Sequence, residues 1–106
     1  TIAQEAASLV ERSLDKGRHV SINEVAEALF SSRSKLCATF KAQTGESLGA
    51  YIRRRRMERA QDLLADSSLT IAQVAERLGY PQQAAFAQAF KQHTGTTPTA
   101  WRSQHI

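Results

Sequence analysis

A ten-residue stretch is written twice in this chain of 106 residues, as LCATFKAQTG at 36–45 and as FAQAFKQHTG at 86–95. Upstream, SINEVAEAL at 21–29 matches TIAQVAERL at 70–78 at an offset of 49. Downstream the offset is 50, pairing Phe40 with Phe90, Lys41 with Lys91, Gly45 with Gly95 and Tyr51 with Trp101. The second copy therefore carries one added residue between Leu78 and Phe86. Each copy reads as a short helix, a turn of adjustable length and a second helix. Solenoids repeat on a similar period but need about three copies to bury a core. Two copies at this length instead predict one compact domain, or two very small subdomains sharing a helix.

The local signals are helical throughout, and no stretch alternates like a strand. Ser21 with Glu24, and Thr70 with Gln73, have capping-box spacing, in which the hydroxyl accepts from the N3 amide and the N3 side chain reaches back. Behind each cap the apolar residues fall at helical spacing: Ile22, Val25, Ala26 and Leu29, then Ile71, Val74, Ala75 and Leu78. Gly45 and Gly95 are natural helix stops. Ser47 and Thr97 each cap a further helix, with Pro98 at a first helical position. A helix at 2–15 places Ile2, Ala6, Leu9, Val10 and Leu14 on one face. A longer one at 48–65 carries an inward stripe of Ile52, Met57, Ala60, Leu63 and Leu64. The predicted fold is all-α with seven helices. Two helix-turn-helix subdomains, 1–46 and 67–106, are joined by a long bridging helix in 47–66, a homeodomain-like arrangement.

Composition narrows the function classes. The chain is 42% hydrophobic and 23% charged, as a folded protein requires, and 14 Lys+Arg against 10 Asp+Glu leave +4. A basic balance hints at an acidic partner such as nucleic acid. The single cysteine, Cys37, excludes an internal disulfide and any multi-cysteine metal site. It suits a reducing compartment. No apolar run approaches the roughly 18 residues of a membrane span, and no signal-peptide pattern opens the chain. A cytoplasmic, nucleoid-associated location without a membrane partner is expected. His19, His93 and His105 have no metal spacing, and there is no Gly-rich phosphate loop or nucleophile elbow. No catalytic residue, metal site or cofactor is expected, and the chain is not read as an enzyme. The first residue is Thr1 rather than Met, as in a piece of a longer protein.

Within the repeated helix, Leu36 and Phe40 share one face, as do Phe86 and Phe90, and all four read as core. The opposite face collects Ser34, Cys37, Ala38 and Lys41 in the first copy and Ala84, Ala87, Gln88 and Lys91 in the second. Residues without bulk suit a helix that lies close to another surface, and an ordinary solvated face carries them too. In a helix-turn-helix the second helix enters the DNA major groove while the first crosses the backbone. The run Arg53-Arg54-Arg55-Arg56 with Arg59 offers phosphate contacts. On the helical wheel Arg54, Arg55 and Arg59 point away from the apolar stripe, while Arg53 and Arg56 flank it and snorkel or pair with a buried acid. Lys41 and Lys91, one turn from the helix ends, also suit phosphates. The amides at the Ser21 and Thr70 helix starts do so as well.

Several motifs together resemble the DNA-binding domain of AraC/XylS-type bacterial transcription regulators. They are IAQVAERLGY at 71–80, Phe86 and Phe90-Lys91 with Thr94-Gly95, Thr97-Pro98 and Trp101-Arg102, and Arg56-Met57 with Ala60 and Leu63-Leu64. Phe40-Lys41 with Thr44-Gly45 and Ser47 adds to them, and the resemblance runs from about residue 5 to 102. It implies a double helix-turn-helix that binds double-stranded promoter DNA, as an activator, with RNA polymerase as a further partner. The two recognition helices would enter successive major-groove segments about one turn, ~34 Å, apart. Carried over by position, the base-facing set is Ser34, Cys37 and Ala38, then Gln82, Gln83, Ala84, Ala87 and Gln88. The phosphate set is Arg33, Lys35, Lys41, Arg54, Arg55 and Lys91. The resemblance also implies a monomeric isolated domain, with dimerisation of a longer protein through an N-terminal domain.

Two positions depart from the family pattern. Phe30 stands where the first turn usually has Gly, so either the turn is reshaped or Phe30 packs into the core; the latter is the favoured expectation. Ala84-Ala85 and Gln88 replace the common Ser-Tyr and Arg, leaving few charged base readers. A helical protein-interaction module competes with the DNA reading but does not account for two turn-separated helix pairs bridged at this spacing. RNA binding lacks exposed stacking aromatics, since Phe40, Phe90, Tyr51 and Trp101 read as core.

Overall fold

The computed structural model describes residues 1–105, and all their regular structure is helical. In chain order the helices are α1 Ile2–Asp15, α2 Ile22–Ala28, α3 Arg33–Thr44, α4 Leu48–Leu64, α5 Ile71–Arg77, α6 Gln83–Thr94 and α7 Pro98–His105. The chain divides into two compact units, Thr1–Arg55 and Arg56–Ile106, and the division falls inside α4.

The repeat is built from identical local chemistry. The Ser21 hydroxyl accepts from Glu24 N–H at 3.1 Å while the Glu24 carboxylate accepts from Ser21 N–H at 3.2 Å. Thr70 and Gln73 make the same reciprocal pair at 3.0 and 2.8 Å. Both caps start seven-residue helices. The second helices of the two copies, α3 and α6, each run 12 residues and stop at a left-handed glycine, Gly45 at φ +82 and Gly95 at φ +84. Thr44 and Thr94 lock these stops. Each hydroxyl donates to the Phe40 or Phe90 carbonyl at 2.8 Å. Each also accepts an amide two residues on, from Glu46 or Thr96. Ser47 and Thr97 then cap α4 and α7 through the Ala50 and Ala100 amides.

In the first unit, α1 contributes Ala6 and Val10, α2 Val25 and Ala26, α3 Leu36 and Phe40, and α4 Leu48 and Ile52 to one buried cluster. Phe40 tilts against Tyr51 with ring centroids 5.4 Å apart. In the second unit, Met57, Ala60 and Leu64 of α4 pack with Val74 and Ala75 of α5 and with Phe86 and Phe90 of α6. Trp101 of α7 meets Phe90 edge-on at 6.2 Å, repeating the Phe40–Tyr51 pair. Truncating a fully buried phenylalanine such as Phe40 or Phe90 removes about 3–5 kcal/mol, so these two rings hold α3 and α6 in their units.

Arginine side chains finish the helix ends. Arg56 is buried, and its Nε and Nη2 donate to the Leu78 carbonyl at 3.2 and 2.9 Å while its guanidinium lies 3.7 Å over the Tyr80 ring. Arg102 donates to the carbonyls of Leu64 at 2.9 Å and Asp66 at 3.3 Å, satisfying the end of α4. Arg56, read as flanking the apolar stripe and either snorkelling or pairing with a buried acid, is buried and meets a helix-end carbonyl and an aromatic face.

The turn after α2 corrects the reading of Phe30. Its φ is +54 and it is 98% exposed, so the turn keeps the left-handed conformation and the ring stays out of the core. The cause is the backbone. Phe30 N–H bonds to Glu27 O at 3.1 Å and Ser31 N–H to Ala26 O at 2.9 Å, the two bonds of a Schellman helix end. Gly79 and Tyr80 make the same two bonds, to Glu76 O and Ala75 O, with Gly79 at φ +82. The same turn is made in both copies, once with glycine and once with phenylalanine.

Candidate nucleic-acid interface

The first recognition helix begins at Ser32, whose hydroxyl accepts from Lys35 N–H at 3.1 Å. Leu36 and Phe40 sink into the core, and this fixes what α3 can present. Arg33, Ser34, Lys35, Ala38 and Lys41 are exposed and Cys37 is half-buried. Arg33 is not loose: its Nη1 donates to Asn23 Oδ1 at 3.1 Å, tying the first turn of α3 to α2. The second recognition helix is anchored the same way by Phe86 and Phe90, with Tyr80 tilted on Phe86 at 5.4 Å. Gln82, Gln83, Ala84, Gln88 and Lys91 are exposed and Ala87 is half-buried. Gln82 occupies the N-cap of α6 without a side-chain cap bond. In each unit the candidate base-facing residues therefore share the helix face opposite the core, and the cations Lys41 and Lys91 stand one turn from its end.

The bridging helix behaves differently from its wheel. Arg54 grips Glu46 through Nε and Nη2 at 3.0 Å each, and its guanidinium lies 5.5 Å from the Tyr51 ring centroid. Hydrogen bonding to Arg54 holds the Glu46 carboxyl below its usual range, with the guanidinium's charge adding to that. Arg55 grips Glu11 of α1 through Nε at 2.9 Å and Nη2 at 3.1 Å. The Tyr51 hydroxyl donates to the same carboxylate at 2.8 Å. Burial first, then this bond and the charge of Glu11, push the Tyr51 hydroxyl up to about 12. Arg54 and Arg55 thus lie in two-point pairs within their own unit rather than standing away from it. Sequence spacing missed Glu11 and Asn23. Glu11 lies 44 residues from Arg55 and Asn23 10 residues from Arg33, and no periodicity links them.

No group of three or more His, Cys, Asp or Glu among the described residues is placed to hold a metal ion. No described helix is long and apolar enough to cross a membrane.

A family model described as a helix-turn-helix domain matches residues 25–104, which takes in both recognition helices. The chain belongs to the AraC-type helix-turn-helix family. This AraC-type domain is 35% identical over 88 residues to the Msm operon regulatory protein of Streptococcus mutans, covering 83% of the chain but only 32% of that relative. Among solved structures, it superimposes on the C-terminal domain of AraT, a response regulator from Geobacillus stearothermophilus, with a TM-score of 0.89. The identity there is 30%, over 99% of this chain and 86% of the other. The DNA-binding domain of AdpA, a global transcriptional factor solved with a target DNA, shares the fold at a TM-score of 0.80 and 24% identity. That match covers 95% of this chain and 92% of the AdpA domain. The AraC-type domain is all-α and has the homeodomain-like double helix-turn-helix fold of these neighbours, and it is a DNA-binding helix-turn-helix domain.

Proposed function

We propose that this domain reads promoter DNA by placing α3 and α6 in successive major-groove segments of one duplex. The observation that carries the reading is the same in both units: a recognition helix held by two buried core residues turns a face of small, amide and basic residues to solvent. Gln83 and Gln88 are the proposed direct readers, since glutamine can bond bidentately to adenine, and Ala84, Ala87 and Ala38 suit thymine methyls. Ser34, Cys37 and Gln82 complete the base-facing set. Arg33, Lys35, Lys41 and Lys91 are the proposed phosphate anchors. Arg54 and Arg55 join them only when their carboxylate pairs open, and their first role is to brace α4. Holding two recognition helices in one chain raises affinity through bivalent engagement.

Beyond the domain, the reading extends to activation of transcription through contact with RNA polymerase, in the cytoplasm and without catalysis. The isolated domain is taken as monomeric, and dimerisation is assigned to an N-terminal domain of a longer protein. A reporter fused to the selected site, with and without the protein, distinguishes activation from repression.

The test of DNA reading is selection of a binding site from a random duplex pool, followed by affinity measured against salt. Four phosphate contacts give a log–log slope of about −3.6, and so roughly a hundredfold loss between about 50 and 200 mM salt. A sequence preference persisting at physiological ionic strength is expected. Absence of duplex binding at about 100 mM salt sinks the proposal.

A further inference from the structure

We infer that Phe30 is a DNA-contacting residue whose ring packs on an apolar surface of the duplex, a thymine methyl or the deoxyribose beside it. The inference rests on the duplex-binding reading and names a contact that reading does not contain.

Phe30 is unfavourable twice over for the isolated domain. Its φ of +54 lies in the left-handed region, where a side chain with a Cβ is strained. Its ring is 98% exposed, so no burial offsets that strain. The fold does not require it, because the second copy makes the same two-bond turn with Gly79. A strained residue with no intramolecular return points to an intermolecular contact.

The surroundings say which kind. Phe30 is the one exposed large hydrophobic residue among the described residues, and Ser31, Ser32 and Arg33 come directly after it. A protein partner is normally met by a contiguous apolar patch of several hundred Å², which a single ring among hydroxyls and a guanidinium does not supply. A duplex offers the matching pattern, single methyl groups and sugar faces spaced between phosphates, and phenylalanine is among the side chains that pack on a thymine methyl. Phe30 is also continuous with the proposed interface. It lies two residues before the Ser32 cap of α3, and Arg33, the first residue of that helix, is braced on Asn23.

The experiment compares the wild-type chain with Phe30→Gly, Phe30→Asn and Phe30→Tyr on the selected duplex, by fluorescence anisotropy over a range of salt, with melting temperature read alongside. Gly and Asn both tolerate a left-handed φ and lack the ring. The expected result is that both keep or raise the melting temperature, yet bind the duplex roughly tenfold more weakly. The salt slope should stay unchanged, because no charge has been removed, and Phe30→Tyr should retain wild-type affinity. Unchanged affinity in the Gly and Asn variants overturns the assignment and leaves a protein surface as the ring's partner. A lowered melting temperature in both overturns it too, because the ring would then be serving the fold. A wild-type chain that binds no duplex overturns the parent reading, and this one with it, a failure distinct from the other two.

Discussion

Gln88 and Lys41 both stand exposed on their two helices, and they separate two kinds of contact. A neutral amide on a base edge discriminates between sequences, whereas an ammonium beside a phosphate attracts all of them. Gln88→Ala is therefore expected to relax base preference at one position, with a loss of about 1–3 kcal/mol on the preferred duplex. Lys41→Ala should weaken every duplex alike and flatten the salt slope by about 1. Affinities for the selected site and its single-base variants, measured at several salt concentrations, check both; identical behaviour of the two variants would refute the division into readers and anchors. At this scale the sequence was an uneven guide. The anchors Phe40 and Phe90 and the exposed faces across from them came out of helical spacing, because spacing on one helix is local information. The fates of the arginines did not. Arg53 stays exposed, Arg54 pairs with Glu46, Arg55 reaches α1, and Arg56 turns inward to a carbonyl 22 residues on. The wheel gives each a direction but not a partner, because the partners arrive only when the chain folds back.

At the level of the element, caps and stops carry the architecture. Four of the signals legible in the sequence, at Ser21, Thr70, Gly45 and Gly95, sit where the helices begin and end. They were legible because a cap needs only residues three or four positions apart. The exception is Gln82, an N-cap without a side-chain bond to the α6 amides. Gln82→Asp is expected to stabilise the second unit by about 1 kcal/mol, measured by chemical denaturation. If Gln82 also faces bases, the same change should weaken duplex binding. Arg56 is the opposite case, a side chain that closes an element from outside. Arg56→Met keeps most of the volume but leaves the Leu78 carbonyl without its charged donor, and a loss of about 2 kcal/mol is expected on the denaturation curve. Phe30 shows why the turn could not be read from residue type. A large apolar side chain argued for burial, yet the backbone bonds of the Schellman end decide the conformation and leave the ring in solvent.

Taken as a whole molecule, the domain is two small units, each with its own core, and its stability should respond to pH through the groups that brace α4. The Tyr51 hydroxyl is raised from 10.0 to about 12. The folded state thus favours the neutral phenol, and the unfolded chain releases the proton first. The contribution is complete below pH 10.0 and is lost as pH rises through about 12. Denaturation midpoints should fall more steeply across that window in the wild type than in Tyr51→Phe, which cannot ionise there. Equal slopes would refute the bracing role of the phenol.

The Glu11 carboxylate serves two donors at once, the Tyr51 hydroxyl and the Arg55 guanidinium, both reaching its Oε2. Positions 11, 51 and 55 are therefore epistatic. A double-mutant cycle between Glu11→Gln and Tyr51→Phe should show a coupling on the order of 1 kcal/mol. The order of substitution then matters to how such a domain can diverge. With Glu11 in place, changes at 51 or 55 strand one part of a shared bond. Once Glu11 is gone the Tyr51 hydroxyl loses this constraint while its ring stays held against Phe40, and after a change of that hydroxyl restoring the acid alone no longer recovers the starting stability.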